Sequence, residues 1–127
     1  MSDRKKYNVE IAVRSSPGIL FNFLSTPSGL AQWFADSVDI NEKIYSFFWN
    51  GAEEKAELVE AEEDVSIKYR WDWMEEEEYF EFVIGKSEIT GDTILFITDF
   101  ADEFDMEDNK MLWESQIDTL KKSLGAG

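Results

Sequence analysis

Val65-Ser66-Ile67-Lys68-Tyr69-Arg70-Trp71-Asp72-Trp73 alternates between apolar and polar residues along its whole length. Val65, Ile67, Tyr69, Trp71 and Trp73 fall on one face, and Ser66, Lys68, Arg70 and Asp72 on the other. A period of two marks a half-buried β-strand. Its aromatic face requires a second layer to cover it.

Downstream, the run Glu75 to Glu78 repels itself and is predicted to be a solvated loop. Phe80, Phe82 and Ile84 give the inward face of the next strand, and Thr90-Gly91-Asp92 turns the chain. Residues 93–100 form the last strand, apolar on both faces, so its inward side is left unassigned. Upstream, Tyr45, Phe47 and Trp49 alternate and run directly into Asn50-Gly51, a strong hairpin signal because both residues tolerate positive φ. Residues 52–61 have helix-favouring composition, but between a hairpin turn and a clear strand they are read as a strand. Tyr7, Val9, Ile11 and Val13 mark a first strand over residues 7–14. Ser16-Pro17 and Thr26-Pro27 each pair an N-cap with a proline in the first helical turn, predicting a short helix through Leu24 and a second carrying Leu30, Trp33 and Phe34.

The closing element is a helix. Trp113, Ile117, Leu120 and Leu124 recur at helical spacing, Lys121 and Lys122 suit the negative end of its dipole, and Gly125 can close it in the left-handed region. The acidic stretch Asp99 to Asp108 before it lacks the spacing and internal glycine of an EF-hand, and reads as a solvated face with an N-cap at Asp105. The fold class is α+β: an antiparallel sheet of six to seven strands, two short helices between the first and second strands, and a long C-terminal helix over the apolar face. One domain spans residues 1–127.

Composition narrows the function. The net charge is −16, from 28 acidic against 12 basic residues, so phosphate backbones and anionic membranes are poor partners. The chain has no Cys and no His, which excludes disulfides, thiolate chemistry, imidazole-based triads and His-ligated zinc within one chain. No cofactor and no metal is expected. Met1-Ser2-Asp3-Arg4-Lys5-Lys6 leads into a strand instead of an apolar signal core, and no apolar run is long enough to span a bilayer. The expected location is the cytoplasm, as a monomer or weak homodimer.

The order of elements resembles the helix-grip fold of START-related, Bet v 1-like domains, and more narrowly the subgroup named for the C-terminal domain of the activator of the Hsp90 ATPase. The resemblance is carried by Ser16-Pro17, by Thr26-Pro27-Ser28-Gly29-Leu30-Ala31-Gln32-Trp33-Phe34, by Ile67 to Trp71, by Gly91-Asp92-Thr93, and by Trp113 opening the last helix. It implies a curved sheet wrapped around that helix, and a range of activities: binding lipids or other apolar molecules, cyclising polyketides, or acting on a chaperone partner.

The candidate ligand-binding residues are Trp33, Tyr45, Phe47, Trp49, Tyr69, Trp71, Phe80, Phe82, Trp113 and Ile117. They either line a cavity for a small apolar or aromatic ligand, lipid-like or polycyclic, or fill a core. Ligand binding is the expected function. A protein-interaction module and a polyketide cyclase-like enzyme are the alternatives. For catalysis, Asp99 and Glu60 are conceivable at strand ends, but nothing selects a pair, and no catalytic residue is assigned.

Overall fold

The computed structural model describes residues 4–125; residues 1–3 and 126–127 of the expected 1–127 domain lie outside them. The elements are β1 (Arg4–Val13), α1 (Pro17–Ser25), α2 (Pro27–Leu30), β2 (Ser37–Asn41), β3 (Ile44–Trp49), β4 (Ala52–Glu62), β5 (Ser66–Trp71), β6 (Phe80–Lys86), β7 (Thr93–Asp102), a 3-10 turn (Glu103–Asp105) and α3 (Met106–Ser123). The strands form one antiparallel sheet in the order β1-β7-β6-β5-β4-β3-β2. From β2 to β7 the sheet is a meander, and β1 adds at its far edge against β7. The first and second strands are therefore opposite edges, joined by α1 and α2.

The turns follow from local chemistry. Asn50 and Gly51 both take positive φ, 51° and 82°, as a two-residue hairpin requires. That turn fixes the register of β4 on β3, placing Ala56 opposite Tyr45 and Glu54 opposite Phe47. Pairing on both sides overrides the helical propensity of residues 52–61, and a bulge between Leu58 and Glu60 shifts the strand against β5. Ser16 Oγ accepts from the Ile19 N–H, and Thr26 Oγ1 from the Gly29 N–H, so both N-caps form.

Several expectations need correction. α2 ends at Leu30, because the chain tightens there: the Leu30 carbonyl accepts from the N–H groups of Trp33, Phe34 and Ala35. Trp33 and Phe34 thus lie beyond the helix, though both are buried. In β5 only Ile67, Tyr69 and Trp71 face inward; Val65 and Trp73 lie past the strand ends and are exposed. The Glu75–Glu78 loop is solvated only in part, since Glu78 is 4% exposed and its Oε2 accepts from Arg4 Nε at 2.9 Å. Asp105 occupies the N-cap position of α3 without a capping side-chain hydrogen bond. The first and last strands also run longer than their apolar patterns, to Arg4 and Asp102.

The core fills the concave side of the sheet. Trp113, Ile117 and Leu120 of α3 are buried there, with Leu20 and Leu24 of α1. Tyr69 Oη donates to the Leu24 carbonyl and Tyr45 Oη to the Ser25 carbonyl, both at 2.7 Å, tying the sheet to the end of α1. On β7 the inward residues are Leu95, Ile97 and Ala101, all fully buried, which resolves the face left open by the sequence.

Candidate functional site

A cavity of about 600 Å³ opens between the N-terminal half of α3 and one end of the sheet. Phe34, Trp49, Trp71, Trp73, Phe100, Leu112 and Trp113 make its apolar lining, and Arg4, Glu54, Asp99, Asn109 and Gln116 its polar lining. Of β4, Glu54 reaches the lining. On the inward face of β4 stand Ala52, Glu54 and Ala56, paired with Trp49, Phe47 and Tyr45 of β3.

Of the predicted site residues, Trp49, Trp71 and Trp113 line this cavity. Phe47, Tyr69, Phe80 and Phe82 are completely buried behind them, and Tyr45 and Ile117 nearly so. These form a filled layer: Phe80 stacks on Trp71 with centroids 4.9 Å apart and on Tyr69 at 5.1 Å, and Tyr45 meets Tyr69 edge-on at 5.0 Å. Trp33 borders a shallower hollow of about 460 Å³, which shares Phe34, Trp49 and Gln116 with the main cavity. The Phe34 carbonyl sits between the two, accepting from Trp49 Nε1 at 2.9 Å and Gln116 Nε2 at 3.4 Å.

The polar side of the cavity centres on Asp99. It pairs directly with Tyr7 across β7 and β1, on the inward face. Its Oδ2 accepts from Trp113 Nε1 at 3.1 Å and Tyr7 Oη at 3.3 Å, and its Oδ1 from the Phe100 N–H at 2.8 Å. Burial raises the Asp99 pKa from its ordinary value, against the opposing pull of these hydrogen bonds and the Arg4 charge. Burial and the neighbouring carboxylate push the Tyr7 phenol upward as well, so it stays protonated and donates. Arg4 donates from Nε to Glu78 and from an η nitrogen to the Phe100 carbonyl at 2.9 Å, and its guanidinium lies 5.0 Å from the Trp73 ring. Glu60, the other carboxylate singled out in the sequence, is exposed on β4 and 3.9 Å from Lys68 Nζ.

Sequence reading missed Phe34, Asn109 and Gln116 among others. Asn109 and Gln116 stand four residues before and three after Trp113, so they share its helix face, and that spacing was a usable signal. Arg4, Phe34, Trp73 and Phe100 reach the cavity from strand ends and loops, where no period applies. Among the described residues, no group of three or more acidic residues is placed to hold a metal ion, and no helix is long and apolar enough to cross a membrane.

This architecture can be placed among known proteins. The START-like superfamily domain matches residues 1–126. The chain belongs to the START-like superfamily. A START-like fold accounts for the strand order, the paired short helices after β1 and the long final helix. The solution structure of BfR322 from Bacteroides fragilis is 35% identical and superposes with a TM-score of 0.67, covering 94% of this chain and 90% of that one. The Aha1 dimer from Colwellia psychrerythraea, at 18% identity, has a TM-score of 0.77 over 94% of this START-like chain and 96% of its own. DynU16, a protein of the dynemicin biosynthetic locus, has a TM-score of 0.78 at 16% identity, over 94% of this chain and 47% of that one. The last two likenesses are of fold. No curated protein matches the chain.

Proposed function

We propose that the protein binds a small apolar or aromatic molecule, lipid-like or polycyclic, in the cavity between the sheet and α3. The observation that carries this reading is the cavity itself: about 600 Å³ with four tryptophans in its lining. Small-molecule sites span about 300–1,000 Å³ and are mostly apolar with a few convergent polar groups. Membership of a superfamily whose fold is known for hydrophobic ligands agrees with it. In this reading Trp49, Trp71 and Trp113 contact the ligand with Phe34 and Trp73, while Tyr45, Phe47, Tyr69, Phe80, Phe82, Trp33 and Ile117 hold those rings in place from behind.

Because tryptophans form the wall, the test is direct. Titration with ANS, a flavonoid, a fatty acid and an aromatic amine, followed by dye and tryptophan fluorescence, should give saturable binding with at least one of them. Replacing Trp71 with Ala should weaken that binding about tenfold, the order expected for removing one packed aromatic contact. If none of the four saturates on the folded protein, the cavity is not a binding site and the reading falls.

A further inference from the structure

One carboxylate, half-buried Asp99, occupies a position where the strand pattern calls for an apolar residue, and a second, Glu54, stands exposed at the cavity's edge. Asp99 follows Leu95 and Ile97 on the inward face of β7, and Glu54 lies between Ala52 and Ala56 on the inward face of β4. Both line the cavity, from opposite parts of the sheet. Departures from a consistent pattern concentrate where function sets the residue. We infer that the ligand of this cavity is an organic cation, a protonated amine on an aromatic or polycyclic body, with its N–H donated to Asp99 and its rings against the tryptophans. This rests on the ligand-binding reading above and narrows it.

Three observations carry the inference. The first is acceptor capacity. A carboxylate offers about four lone-pair directions, and Asp99 uses three, for Phe100, Trp113 and Tyr7. The second is sign. Arg4 is the cation in the lining, and its guanidinium is committed to Glu78 at 2.9 Å, so Asp99 and Glu54 leave the cavity negative. A fatty-acid carboxylate or a sulfonate would meet like charge there. The third is the wall itself: Trp49, Trp71, Trp73 and Trp113 are the ring type that attracts cations most strongly. The net charge of −16 adds a long-range field that draws cations toward the protein.

The test holds the ring constant and varies the charge. 1-Naphthylmethylamine, 1-naphthalenemethanol and 1-naphthoate are titrated calorimetrically at pH 7 and low salt. The amine should bind about tenfold or more tightly than the alcohol, as a charge-assisted hydrogen bond provides, and the naphthoate most weakly. Added NaCl should weaken the amine and leave the alcohol unchanged. In Asp99→Asn the ratio of amine to alcohol affinity should fall to about one. Equal affinity of amine and alcohol in the wild type, or an advantage that survives in D99N, overturns the inference and leaves the binding cavity standing. Failure of all three to saturate overturns the inference, and failure of ANS, the flavonoid and the fatty acid as well overturns the binding cavity. If circular dichroism shows D99N unfolded, the wild-type ranking and its salt dependence decide the matter.

Discussion

At the scale of single residues, the polar side of the cavity centres on Asp99, which breaks the apolar pattern of the inward face of β7. Asp99 faces Tyr7 and Arg4 of β1, Trp113 of α3 and the Phe100 N–H. Burial, the largest influence, raises its folded-state pKa. A group that holds its proton more tightly when folded contributes stability that is complete below the unfolded carboxylate pKa of about 4 and is lost as the pH rises through the folded value. Asn cannot titrate. The stability of wild type relative to D99N should therefore decline as the pH rises from about 4 to neutrality, read from melting temperatures of both proteins across that range. A difference that stays constant with pH would show that the carboxylate titrates alike in both states. Glu54 shows the limit of the sequence: among many acidic residues on β4, only its register against Phe47 puts it on the concave face.

At the scale of elements, packing sets residue size where propensity is silent. A Cβ on Gly29 would lie 2.7 Å from the Phe23 Cα and 2.8 Å from Thr26 Oγ1, and would overlap the Asn22 carbonyl oxygen. α2 can sit against α1 only because that side chain is missing. Gly29→Ala should cost about 2 kcal/mol, the usual order for overpacking, measured by urea denaturation; a loss below about 0.5 kcal/mol, typical of neutral surface changes, would mean the helices separate freely. The strands and α3 were legible because period two and helical spacing are local signals. The ends were less so. Val65 and Trp73 continue the alternation of β5 in sequence, yet pairing stops at Ser66 and Trp71, so the pattern outlives the strand. Glu78 looked like one more charge in a solvated run, and its burial depends on Arg4, 74 residues away.

At the scale of the molecule, the net charge of −16 makes self-repulsion a global term. β4 contributes strongly to it, with Glu53, Glu57, Glu60 and Glu62 exposed on one strand. Raising NaCl shortens the screening length from about 30 Å at 0.01 M to about 3 Å at 1 M, so the melting temperature should rise across that range and then level off. A flat or falling profile would show that the acids are already accommodated. Sequence by itself determined the α+β class, the hairpin at Asn50-Gly51, the two capped helices and the buried face of α3, because each depends on neighbours within a few residues. It also excluded thiol and imidazole chemistry, since the residues are absent. Tertiary structure alone separated the tryptophans that line the cavity from the aromatic residues that fill the layer behind them. It also put Glu54 in the lining beside Asp99 and left Glu60 outside it. The reason is physical: alternation says which face a side chain takes, whereas the hollow is a space between faces, bounded by residues of β1, β3, β4, β5, β7 and α3 that no local pattern brings together.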